Sequence, residues 1–129
     1  MIKNLNVETI SVEMAKEIKS KLLGIPSVDR VLIAVKEQKD LKVGSLYVPK
    51  TDDKLELPRK GVIITTGILS EEYKQYTDYL STGYIIHYGL YAGKEIDIPL
   101  TDKDSIDITD MKFYVLSLNE IIFIESNNQ

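Results

Sequence analysis

From residue 26 onward the apolar positions fall in short dense runs, separated by glycine, proline and charge. Val31-Leu32-Ile33-Ala34-Val35 is the densest. A run without polar alternation predicts a strand covered on both faces. Val62-Ile63-Ile64, between Gly61 and Gly67, predicts a second strand closed by glycine at each end. Gly83 to Tyr88 and Tyr91 to Ile98 predict the next two, and Met111 to Leu116 and Glu120 to Glu125 the last two. Pro99 to Asp110 reads as an acidic, exposed turn or hairpin tip. Ile68 to Thr82 is ambiguous: a short helix after Ser70 would put Tyr73, Tyr76 and Leu80 on one side. Ser126 to Gln129 reads as a frayed tail.

Residues 1–25 carry a different period. Met14, Ile18 and Leu22 recur every fourth position, with Ala15 beside them. Ser11 is placed to cap a helix from Val12 to Leu23, and Gly24 to stop it. The result is one apolar stripe on a charged cylinder. It needs a surface to lie on, either the β domain of its own chain or a neighbouring subunit. Short strands separated by glycine and proline therefore suggest a small β barrel or sandwich, read here as a compact, mainly β barrel over 26–125 behind a helical extension.

Between the first two predicted strands lies a long polar stretch, Lys36 to Arg59, holding the small apolar island Gly44-Ser45-Leu46-Tyr47-Val48-Pro49. A connection of this length without structure of its own is unusual in a compact domain and is usually functional or disordered. Charge, glycine and two prolines argue against a packed interior. Leu46, Tyr47 and Val48 are expected to be displayed for binding by another molecule. The competing reading makes them a short edge strand packed on the barrel.

Composition narrows the classes. At 129 residues the chain is long enough for one real core. A net charge of −4, with lysines interleaved among Asp and Glu, disfavours nucleic acid and anionic membrane as partners. There is no cysteine, so disulfides and thiolate metal sites are excluded. No apolar run approaches the roughly 20 residues of a membrane span, and the N-terminus lacks a signal-peptide pattern. The expected location is the cytoplasm. His87 is the one histidine; with no second imidazole it reads as structural or surface. Asp102, Asp104, Asp107 and Asp110 lack the glycine and terminal glutamate of a calcium loop and read as a solvated turn. Tyr73, Tyr76 and Tyr79 read as packing or subunit contact rather than base stacking. No Ser-His-Asp set and no phosphate-cradling glycine loop is present, so no enzyme activity, metal or cofactor is expected.

Taken in order, four blocks resemble the GroES-type co-chaperonins, the rings that cap GroEL-type chaperonins. Pro26-Ser27-Val28-Asp29-Arg30-Val31-Leu32-Ile33 resembles their opening strand. Gly44 to Pro49, followed by Pro58-Arg59-Lys60-Gly61-Val62-Ile63-Ile64, resembles their mobile loop and the strand after it. Tyr91-Ala92-Gly93-Lys94-Glu95-Ile96 resembles a family signature. Phe113-Tyr114-Val115-Leu116 and Asn119 to Glu125 resemble the closing pair of strands. The likeness covers about residues 26–125. Residues 1–25 have no counterpart in short members, Pro99 to Asp110 resembles an insertion, and Ile68 to Thr82 stands where a roof hairpin is usual without reading like one. Ser45 stands where a second glycine is common. These departures fit a divergent, phage-type version, which would work in a host cytoplasm.

The resemblance implies a small GroES-like β-barrel and a co-chaperonin function. Gly44, Ser45, Leu46, Tyr47, Val48 and Pro49 would bind a GroEL-type chaperonin in its nucleotide-bound state, enclosing a chamber for client proteins. It also implies a homo-heptamer. In it the first strand of one subunit, with Val31, Leu32, Ile33 and Val35, would meet the last strand of the next, with Ile121, Ile122, Phe123 and Ile124. The main alternative is a small β-barrel virion or tail protein, which would not need a displayed apolar island. A trimeric dUTPase lacks its Arg-Ser phosphate pattern here, and a zinc alcohol dehydrogenase lacks its cysteines and nucleotide half.

Overall fold

A computed structural model of the chain describes residues 10–36, 59–89 and 91–126. Six strands form one antiparallel sheet: β1 (Arg30–Lys36), β2 (Arg59–Thr66), β3 (Ile85–Tyr88), β4 (Lys94–Ile96), β5 (Met111–Ser117) and β6 (Ile121–Glu125). Their order across the sheet is β4-β5-β1-β2-β3-β6. The predicted strands are all present in a small β fold of the expected kind, but the sheet is not closed into a barrel. Strands β4 and β6 remain as its two edges. Closure would need those edges to meet; instead helix and connecting segments pack on the two faces.

The apolar run of β1 is explained by its place in the middle. Its side chains alternate between two separate cores. Leu32 and Ala34 join Val62, Ile64, Ile85 and Phe113 on one face. Val31 and Ile33 join Ile63, Ile86, Tyr88 and Leu116 on the other. Burying each large aliphatic side chain contributes about 1.5–3 kcal/mol, so a strand paid on both faces has no polar position to alternate with.

Helix α1 (Val12–Lys21) covers the first face. Its N-cap is Ser11, whose hydroxyl accepts from the Met14 N–H at 3.1 Å. Ala15 and Ile18 are fully buried and Met14 and Leu22 partly so, which is the predicted stripe. The surface it lies on is the chain's own sheet. The helix ends at Lys21 rather than at Leu23 because Leu22 turns extended and bridges Leu100. The segment 99–110 is accordingly not a purely exposed tip. Its aspartates face solvent, but Ile106 is buried and Leu100 and Ile108 pack against the same core.

The ambiguous stretch after β2 forms a turn and a 3-10 helix, Lys74–Tyr79, neither α-helix nor hairpin. Ser70 anchors its start: its N–H and its hydroxyl both donate to the Asp29 carboxylate, at 2.8 Å each. Asp29 sits in the left-handed region at φ 57°. Its N–H donates to the Ile68 carbonyl at 3.0 Å and its carbonyl accepts from the Leu118 N–H at 3.1 Å. One residue thus ties the entry to β1, the exit from β2 and the β5–β6 turn. Gly67 belongs to the same junction, where a Cβ would collide with the carbonyl oxygens of Ser27 and Pro26.

Tyr88 ends β3 with its side chain buried and its hydroxyl without a hydrogen-bond partner among the described residues. Burial pushes its phenol from 10.0 up to about 12, against the opposing pull of the Arg59 guanidinium. A phenol held protonated in the fold and titrating normally when unfolded favours the fold less as pH rises from about 10 to 12. Urea unfolding at pH 9 and pH 11 therefore predicts a larger loss for the wild type than for Tyr88→Phe. Equal losses in the two proteins would show that Tyr88 titrates normally.

Candidate functional site

The described residues fix where the polar segment leaves the sheet. The β1–β2 ladder runs from Val31 opposite Thr66 to Ala34 opposite Val62. Past that point the strands part. Val35 and Lys36 continue on β5, opposite Lys112 and Met111. Arg59, Lys60 and Gly61 continue on β3, opposite Tyr88, His87 and Ile86. The segment 37–58 joins the two strand ends across this split. Gly44, Ser45, Leu46, Tyr47, Val48 and Pro49, the expected chaperonin-binding residues, lie outside the described residues. Their roots are exposed and basic: Lys36, Arg59 and Lys60.

The expected interface residues separate into two groups. Val31, Leu32 and Ile33 are at most 2% exposed and Val35 is half-buried. Both edges of β1 are already paired within the chain, to β2 and β5. In the single chain these residues build the core, and β1 makes no strand pairing with Ile121 to Ile124. Strand β6 instead pairs with β3. Ile121 and Ile124 pack against the second core, while Ile122 and Phe123 are 62% and 58% exposed. A bulge explains the outward turn of Ile122: His87 opposes Phe123 and Tyr88 opposes Ile121, so Ile122 has no opposite residue.

Beside this edge lies an apolar groove of about 450 Å³. Tyr73, Tyr76, Leu80 and Leu118 form one wall and Ile121 to Ile124 the other. The tyrosines brace each other, with ring centroids 6.1 Å apart. The sequence placed Tyr73, Tyr76 and Leu80 on one side, and the structure brings them together. It gave no sign that Leu118 and β6 would face them, because that meeting depends on the β5–β6 turn. Ser117 and Glu120 cap that turn reciprocally, with the Ser117 N–H donating to Glu120 Oε1 at 2.9 Å.

His87 has a structural role on this edge. Its Nε2 lies 2.7 Å from Glu125 Oε2, and the Phe123 ring meets the imidazole edge-on at 5.2 Å. The aspartates of 99–110 serve the turn itself. Asp107 accepts from the Thr109 N–H at 3.0 Å, and hydrogen bonding to Thr109 holds its carboxyl below the usual carboxylate range. Asp102 lies 3.8 Å from Lys21 Nζ. Among the described residues no group of three or more His, Cys, Asp or Glu side chains is placed to hold a metal, and no helix is long and apolar enough to cross a membrane.

Comparison with known proteins identifies relatives of this chain. A protein named Co-chaperonin GroES from Solidesulfovibrio magneticus is 33% identical over 75 residues, which span 57% of this chain and 76% of that protein. A protein of the same name from Citrifermentans bemidjiense is 31% identical over 75 residues, with the same shares covered. Residues 25–123 match the family described as the chaperonin 10 Kd subunit. That match takes in all six strands except the last two residues of β6, the parting of β1 from β2 and the segment between them, and the chain belongs to the chaperonin 10 Kd subunit family.

Proposed function

We propose that this chain acts as a co-chaperonin that caps a GroEL-type chaperonin through Leu46, Tyr47 and Val48, with Gly44, Ser45 and Pro49 shaping the segment around them. The observation that carries this is the family match over residues 25–123, which runs through the apolar island and both strands at its root. The chemistry is that of a weak contact repeated. Burying three such side chains in a foreign groove returns of the order of 5–8 kcal/mol per copy. Ordering a segment on binding takes back about 2–5 kcal/mol. One copy then binds weakly, whereas several on one ring bind through effective concentration, firmly yet reversibly. The cap closes a chamber around client proteins and releases with the chaperonin's nucleotide cycle, which needs no nucleotide site on this chain.

The ring is proposed to be a heptamer with a heterologous contact. The β6 edge supplies one half, with Ile122 and Phe123 exposed beside the tyrosine groove. Because β1 has no free edge, the other half falls to the linker before it, where Leu23 and Ile25 are 64% and 62% exposed. A ring also covers edges that would otherwise invite uncontrolled pairing.

Pull-down on a GroEL-type double ring with ATP is expected to capture the wild type and to lose Val48→Asp, with ring assembly unchanged. Equal capture of the two would sink the assignment of the apolar island. Light scattering is expected to give seven copies for the wild type and mostly single chains for Ile122→Asp. A wild type that stays monomeric or dimeric at micromolar concentration contradicts the ring.

A further inference from the structure

The two segments that short family members lack, the helical prefix and the insertion at 99–110, are distant in sequence and joined in space. The Leu23 N–H donates to the Pro99 carbonyl at 3.0 Å, and the Thr101 N–H donates to the Lys21 carbonyl at 2.8 Å. Leu22 and Leu100 form an antiparallel bridge between these bonds. Below the bridge, Ile18 of the helix and Ile106 of the insertion enter one core with Leu32, Val62 and Phe113 of the sheet.

The opposite end of α1 is also seated. A Cβ at Gly83 would lie 3.0 Å from Val12 Cγ1, and Gly83 has a φ of +97°. That turn is fixed to β2, since the Gly83 N–H donates to the Ile63 carbonyl and the Thr82 hydroxyl to the Ile64 carbonyl, both at 2.8 Å. The helix therefore reaches from the turn before β3 to the segment after β4.

We propose that α1 and residues 98–108 are a single cooperative clamp that shuts one face of the open sheet within one chain. Neither part is self-sufficient. A ten-residue helix is marginal alone in water. The regular structure of 98–108 is one three-residue 3-10 turn, Lys103–Ser105. Its order comes from burying Ile106 and from backbone bonds to α1, so each segment loses its support when the other leaves. The clamp covers the face that a closing strand ladder would otherwise seal, and it leaves the β4 and β6 edges open. The single chain thereby buries its core before any second copy arrives, and folding precedes assembly. This inference rests on the fold and not on the chaperonin reading.

Native-state hydrogen exchange on the full-length protein, across sub-denaturing urea, tests the clamp directly. Peptides covering 12–22 and 98–108 are expected to open together, with one shared urea dependence, before those covering β1 and β5. Opening at separate urea concentrations overturns the proposal. In full-length Ile106→Ala, α1 is expected to exchange at least tenfold faster, while β1 keeps its wild-type protection. Faster exchange confined to 98–108 also overturns it. The wild-type urea series decides alone if the variant does not fold. Chaperonin capture, measured separately, bears only on the proposed function.

Discussion

Strand β1 is enclosed on four sides. Strands β2 and β5 take its two edges, and two separate cores take its two faces. Everything else is arranged around that constraint. Because β1 is central, the outermost positions fall to β4 and β6, of three and five residues. Because β2 must leave β1 at Val62 to pair with β3, the strands part, and the segment 37–58 starts and finishes at the parting. The segment proposed to bind is thus separate in sequence from the strands that build the cores.

What the sequence made legible was local. Dense apolar runs between glycines marked β1, β2 and β3, and Ser11 with a four-residue period marked α1. What it hid depended on partners far along the chain. The end of α1 is set by Leu100, not by Gly24. Nothing near Ser70 in sequence shows that Asp29, 41 residues earlier, receives its N–H and its hydroxyl. Ile106 sits among aspartates and reads as exposed, yet it fills a hole beneath α1. The left-handed turn at Asp29 leaves no periodic trace at all.

The candidate site divides along the same line. The apolar island at 44–49 stands out in sequence because it contradicts its polar surroundings, and the family match runs through it. Of the residues expected at the ring contact, Ile122 and Phe123 are exposed on the β6 edge. Ile121 to Ile124 resemble a closing strand, and the bulge at His87 turns Ile122 outward. Val31 to Val35 are equally apolar, but their hydrophobicity serves the interior. Apolar character alone does not tell a core strand from an interface strand; only edge pairing does. The extension and the insertion read separately as departures from the family, and their contact at Leu22 and Leu100 makes them neighbours.

The account turns on residues 44–49 being the part of this chain that a chaperonin grips. The most direct measurement is amide hydrogen exchange over that stretch, with the protein alone and with a GroEL-type double ring plus ATP. The account predicts fast exchange at 44–49 in the lone protein and strong protection there in the complex, with β1 and β5 protected equally in both. Full protection at 44–49 in the lone protein, or no gain on forming the complex, would contradict it.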